Sequence, residues 1–188
     1  MNLQHLHDQM LWSDVIQSYM NLSEGIMSKE EFDLARRSFL SNSQERSAIL
    51  KSYLGSEPPG DYGDTGTRVA IGMVQELTEE ELKSLLPQLI YRMCNLRLRS
   101  LDFIRAPLLS LPHQWLADHV EEAADLVLQT GLEVECGILL AFCRKVDLGL
   151  YQRVARKAAQ STDQEVRELG RNALEQVGES TIDELEHP

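Results

Sequence analysis

Thr162-Asp163-Gln164-Glu165-Val166-Arg167-Glu168-Leu169-Gly170-Arg171-Asn172-Ala173-Leu174 shows the helical character of the chain most clearly. It begins as a helix begins. Ser161 or Thr162 can cap free backbone N–H groups, and Asp163 and Glu165 fall where the helix dipole is positive. Val166, Leu169, Gly170, Ala173, Leu174 and Val177 then recur at helical spacing and share one face. Gly170 and Ala173 are small, so a neighbouring helix can approach closely. Arg167 and Arg171 flank the apolar stripe and can reach acidic groups on a neighbour.

Upstream, the segment from Leu148 to Ala159 is expected to bury Leu150, Tyr151, Val154, Ala155 and Ala158. The helix before it, from Glu133 to Lys145, is apolar on nearly every side in its middle, which requires neighbours on several sides. Ser110-Leu111-Pro112 starts an earlier helix, with proline near the first helical position. Its core side reads Leu116, His119, Val120, Ala123, Leu126 and Val127, with Trp115 on the flank. Its other side carries Asp118, Glu121, Glu122 and Asp125, and Gly131 closes it. Beyond Gly178 the tail 179–188 is acidic and is expected to fray.

These helices pair up and recur. Val134 and Val166 stand 32 positions apart, and so do Leu116 and Leu148, His119 and Tyr151, Ala123 and Ala155, and Leu126 and Ala158. Leu140 and Asn172 share the offset without sharing character. A looser third unit aligns Leu96-Arg97, Ser100, Phe103 and Ile104 with Val166-Arg167, Gly170, Ala173 and Leu174. A helix whose first turn ends in Val-Arg and continues with small residues resembles the second helix of a HEAT repeat. Recurrence near this length is how an α-solenoid appears in sequence. The resemblance covers roughly Thr78 to Gly178 and implies an all-α chain with a short HEAT-like α-solenoid of helix-turn-helix repeats. An irregular helical bundle is the alternative.

The first half supplies an N-terminal helical cap over residues 1–54. Apolar residues at Leu3, Leu6, Met10, Leu11, Val15, Ile16, Tyr19, Met20 and Leu22 keep a helical period, and Ser13 can cap a second helix after a break. Ser28-Lys29-Glu30-Glu31 and Thr78-Glu79-Glu80-Glu81 are capping boxes. Phe32, Leu34, Ala35, Phe39 and Leu40 are expected inside, followed by Ala48, Ile49, Tyr53 and Leu54. Residues 55–67 hold four glycines and two prolines and are read as neither helix nor strand. They form either a plain linker or a functional loop. Residues 68–178 make the repeat region, in which Pro87 should bend its helix or restart it.

Composition narrows the function. The chain has 188 residues, 18 basic against 30 acidic, for a formal charge of −12. That charge opposes general binding to phosphate backbones. Residues 79–110, with five basic and four acidic side chains, are too nearly neutral to reverse this. It suits a partner with a basic surface. Cys94, Cys136 and Cys143 lie in apolar helical patterns, which reads as a reducing, cytoplasmic setting without a disulfide framework. The N-terminus lacks the basic and apolar regions of a signal peptide, and no membrane span is expected.

No nucleophile, zinc or phosphate-loop motif is present in the sequence. The glycines and aspartates of 55–67 match neither a phosphate loop nor an EF-hand. His5 and His7, two apart, fall on different sides of a helix. His113, Trp115 and His119 read as core or boundary residues. No cofactor and no metal are expected. The resulting expectation is a non-catalytic protein-binding module. A small, acidic, helical chain is also similar to bacterial immunity proteins that neutralise basic toxins. Asp118, Glu121, Glu122, Asp125, Glu133 and Glu135 are the candidate contact residues. An adaptor or assembly factor is the alternative, and a helical-repeat enzyme such as a cofactor lyase would need convergent polar groups that the sequence does not display.

Overall fold

The computed structural model of the chain describes residues 11–42, 46–54, 63–94, 101–129 and 132–186. His5, His7, most of the Gly/Pro-rich stretch and Gly131 lie outside them. Every regular element among the described residues is helical, so the chain is all-α. By contact it falls into two compact units, residues 1–85 and 86–188.

The first unit contains α1 (Trp12–Ser23), α2 (Lys29–Asn42), α3 (Arg46–Leu54), α4 (Gly63–Gly72), a single 3-10 turn (Val74–Glu76) and the opening turns of α5 (Glu79–Cys94). α1 packs on α2 and α4, and α3 packs on α4. Trp12 anchors the core, its ring 5.2 Å from Phe39 and 5.3 Å from Tyr53. α1 starts one residue before the expected cap: the Leu11 N–H donates to Asp14 at 3.1 Å, and Ser13 is exposed. Gly25, at φ +73°, takes the left-handed turn that ends α1.

Two apolar residues expected inside this unit are outside. In α2 the buried set is Phe32, Ala35, Phe39 and Leu40. Leu34 sits two positions off that stripe, about 160° away from the average direction of its neighbours on a helical wheel, and is exposed. In α3, Leu50 and Leu54 face inward, and Ala48, two residues before Leu50, is exposed. The stretch expected to be irregular is partly regular. Residues 63–67 form the start of α4, where Thr67 donates its hydroxyl to the Tyr53 carbonyl at 2.9 Å.

Both capping boxes form. At α2, Ser28 N–H donates to Glu31 at 2.9 Å, and Glu31 N–H donates to Ser28 Oγ at 3.3 Å. At α5 the Thr78 N–H and hydroxyl donate to Glu81 Oε2 at 2.9 and 2.8 Å. The same carboxylate holds α3. Arg46 donates to both of its oxygens, through Nη2 at 3.0 Å and through Nε, and Ser47 donates its hydroxyl at 3.2 Å. Arg46 also donates to the Leu40 carbonyl. One side chain thus ends a helix and ties it to another.

The second unit contains the rest of α5, α6 (Leu101–Leu109), α7 (His113–Ala123), α8 (Asp125–Leu128), α9 (Glu133–Val146), α10 (Leu148–Ala158) and α11 (Gln164–Glu186). α5 runs unbroken through Pro87, and α6 likewise contains Pro107. Pro112 stands immediately before α7, as the sequence suggests. α9 packs on α7, α10 and α11, and α10 packs on α7, α9 and α11. α9 buries Cys136, Leu139, Leu140, Phe142, Cys143 and Val146, which form one wide arc of about 160° around it. That is why three helices can share it.

α11 starts at Gln164 and its cap is Asp163, whose Oδ1 accepts from the Val166 N–H at 3.0 Å. Ser161 instead accepts from Asp163 N–H at 3.2 Å. Arg167 does not reach a neighbour's carboxylate; it turns back to the carbonyls of Ser161 and Thr162. The helix extends to Glu186, through the segment expected to fray. Gly170 allows the closest approach in the unit. A Cβ there would stand 2.7 Å from the Ala158 carbonyl carbon and 2.8 Å from the Ala155 oxygen.

Burial corrects the 32-residue register. Val134, Leu148 and Leu126 are exposed, whereas their partners Val166, Leu116 and Ala158 are buried. Leu148 and Val134 sit in the first turn of their helices, and Leu126 follows a break at Ala124 that redirects the chain. An offset of 34 matches α7 to α10 better: Leu116 with Leu150, Ala117 with Tyr151, Val120 with Val154, and Ala124 with Ala158 are all buried.

Two predictions follow from these contacts. Gly170→Ala gains helix propensity but meets α10 backbone, so the overpacking cost of ~1–3 kcal/mol dominates and the melting temperature falls by a few degrees. Gly178→Ala, on the same helix with open space around it, is the control and should raise it slightly.

The Glu81 carboxyl is held down at about 2, first by its hydrogen bond from Arg46, then, against the opposing cost of burial, by those from Thr78. A lowered carboxylate contributes stability above its ordinary pKa of 4.5 and loses it as pH falls toward about 2. Glu81→Gln is expected to lose on the order of 2 kcal/mol at neutral pH, discounted for the partial exposure of Arg46. The gap between parent and variant melting temperatures should close as pH is lowered through that window.

Candidate functional site

The six acidic candidates divide into three environments. Glu121 and Asp125 are occupied by α10. Arg153 Nε donates to Glu121 at 2.6 Å, and Lys157 Nζ donates to Asp125 at 2.8 Å while standing 4.0 Å from Glu121. The same cations reach backbone as well: Arg153 donates to the Ala117 carbonyl at 2.8 Å and Lys157 to the Glu121 carbonyl at 3.2 Å. This seam joins α7 and α8 to α10. Its members are a third or more exposed, so each pair contributes a few tenths to 1 kcal/mol. Glu135 is buried. Asp118, Glu122 and Glu133 are exposed to solvent, Asp118 accepting from Gln114 at 3.0 Å. The structure therefore does not bring the six together as one surface.

The pairing of Glu121 with Arg153 and Asp125 with Lys157 carried a signal in the sequence. Both pairs are 32 positions apart, within two residues of the 34-residue offset between α7 and α10. Equivalent helices lying side by side bring residues at one repeat length into reach, and opposite charges at that offset are a contact signature. Carboxylates and cations taken one helix at a time do not display it.

The aromatic cluster on α7 is internal. His119 Nδ1 hydrogen-bonds the Trp115 carbonyl at 2.7 Å, and the two rings stack at 4.6 Å. The three cysteines are buried and unpaired. Desolvation pushes the Cys136 thiol up to about 11 and the Cys143 thiol up to about 12, and raises Cys94 further. Thiols so shifted hold almost no thiolate at neutral pH and make poor nucleophiles. Among the described residues, no three His, Cys, Asp or Glu side chains group as metal ligands would, and no helix is long and apolar enough to cross a membrane.

A different feature has the shape of a binding surface. Two adjoining cavities of about 350 and 410 Å³ share Gly137, Ala141 and Leu169, and together form a trough between α9 and α11. Leu140, Ala173 and Tyr151 wall one end, with Arg144 and Lys145 at its rim. Val134 and Ile138 wall the other, with Arg105 and Glu133. Nothing in the apolar period of α9 announces this trough. It exists because Gly137 and Ala141 lack the side chains that would fill it.

No protein-family model, no curated protein and no solved structure matches this chain.

Thiol accessibility gives a direct test of the cysteine environments. At neutral pH the native protein should react negligibly with a thiol-labelling reagent over minutes, and in denaturant all three cysteines should label. Rapid labelling of Cys136 or Cys143 in the native state would contradict their burial.

Proposed function

We propose that this chain is a non-catalytic protein-binding module whose second unit is a short HEAT-like solenoid. The carrying observation is the pattern of helix contacts. α7 and α9 form one pair, and α10 and α11 form the next. First helices touch (α7 with α10), second helices touch (α9 with α11), and α9 touches α10. In a closed four-helix bundle α7 and α11 would be neighbours too, yet they are not among the substantial contacts of the described residues. Stacked pairs of this kind use their stability to present surface rather than to enclose a reaction site. The offset of 34 between buried positions of α7 and α10 supports the same reading.

The overall charge of −12 favours a partner with a basic surface. Neutralising a basic toxin as an immunity protein is one role of that kind, in a reducing cytoplasm where unpaired Cys94, Cys136 and Cys143 persist. With Glu121 and Asp125 engaged by Arg153 and Lys157, the carboxylates of α7 left for a partner are Asp118 and Glu122. Affinity capture with the tagged protein is expected to recover a basic partner at ~50 mM salt and to release it at ~500 mM. Asp118→Lys with Glu122→Lys should reduce that recovery at least ~10-fold while leaving the melting temperature unchanged. Equal recovery by the charge-reversed protein would sink the electrostatic part of the reading.

A further inference from the structure

The trough between α9 and α11 differs in sign from the chain that contains it. Among the described residues its rim carries Arg105, Arg144 and Lys145 against the carboxylate of Glu133. At the Arg105 end the charges balance. At the far end Arg144 and Lys145 have no carboxylate beside them among the described lining residues, and the Arg144 guanidinium lies over the Tyr151 ring at 5.9 Å. Charges beyond ~8 Å are largely screened at physiological ionic strength, so a ligand in the trough meets this local field more than the net −12.

The dimensions suit a helix. Val134 and Lys145 are eleven residues apart on α9, which sets the trough at ~16 Å, or three helical turns. A Cβ on Gly137 would meet nothing within 4 Å, so the core does not require glycine there; its effect is to keep the floor open. Val134 is 55% exposed and Ala141 is exposed beside it. The floor is thus apolar, wet and unfilled. No strand edge exists among the described residues to pair with an extended peptide. A trough open along its length would leave much of a small molecule in water. An amphipathic helix laid into such a groove buries one face and keeps the other wet.

We propose that the α9–α11 trough docks one amphipathic helix of a partner protein, apolar along the buried side and bearing carboxylates at the end that meets Arg144 and Lys145. This goes beyond the reading above: it assigns a second surface of opposite sign, and it does not depend on the existence of a basic partner.

The test uses the full chain and a fluorescent 14-residue helical peptide with Leu at i, i+4 and i+7 and Glu residues at one end, read by anisotropy. The control peptide carries Lys in place of Glu. The Glu peptide is expected to saturate, with the Lys peptide at least ~10-fold weaker. Arg144→Glu with Lys145→Glu should weaken the Glu peptide at least ~10-fold and reverse the preference. Gly137→Leu should fill the trough and abolish binding of both, and Ala141→Leu serves the same end should the first variant melt early. The α7 pair Asp118→Lys and Glu122→Lys should leave peptide binding unchanged, which separates this surface from the acidic one. Equal affinity for both peptides, binding of neither, or indifference to the Arg144 and Lys145 reversals would overturn the proposal. So would self-association in sedimentation that Gly137→Leu abolishes, since the trough would then belong to a second copy of the chain.

Discussion

The second unit depends on how closely α11 can lie on α10. At Gly170 the two backbones come within a distance that excludes even a methyl group. Close backbone approach shortens every other contact along the pair. It lets Ala155, Ala158 and Ala173, all small, be fully or almost fully buried. It also brings Tyr151 across to the Ala173 carbonyl, to which its hydroxyl donates at 3.4 Å. A larger residue at Gly170 would separate the helices by more than its own volume, because α-helices are stiff and the displacement spreads along the interface. With α10 fixed in this way, Arg153 and Lys157 are presented to α7 at a defined height, and the charged seam can close.

That seam shows how an acidic chain spends its few cations, 18 of them in all. Arg153 and Lys157 each touch a backbone carbonyl of α7 together with a carboxylate of α7 or α8. Arg36 does the same in the first unit, contacting Glu76 at 2.6 Å and the Gly72 carbonyl at 3.3 Å. Arg46 repeats the pattern with Glu81 and the Leu40 carbonyl. The carbonyls matter as much as the carboxylates. The Leu40, Gly72 and Glu121 carbonyls lie in the last turns of their helices, where the usual N–H partner is missing, and a long cation from another element supplies a donor while crossing the interface. Part of the acidic surface is therefore consumed internally, so the 30 acidic residues overstate the carboxylates a partner would meet, while the net charge is unaffected.

Sequence chemistry was legible where it was local. The two capping boxes need only residues three apart, and both form as read. Gly170 was legible as a close contact because it is a small residue on an apolar face. Which edge of a stripe is covered was not legible. Leu126, Val134 and Leu148 are exposed because their helices have only just begun there, and Leu34 because it lies on the far side of α2 from the buried stripe. The candidate acidic set failed to cohere for a related reason. Spacing puts Glu121 and Glu122 on adjoining parts of one helix, but only the position of α10 decides that the first is paired and the second free to meet solvent.

The trough illustrates the opposite limit. Side chains that are present leave periodic marks in sequence; a space leaves none. Gly137 interrupts an otherwise apolar run, and on its own a glycine in a helix reads as a small loss of stability, ~1 kcal/mol against alanine. Its neighbours give it meaning. Gly170 is a glycine that packing demands, because backbone fills the place of its side chain. Gly137 is a glycine that packing does not demand, because nothing does. In a helix whose other face is committed to the core, the second kind costs stability without a structural return, and a surface that stays open beside Arg144 and Lys145 is the return that the geometry offers.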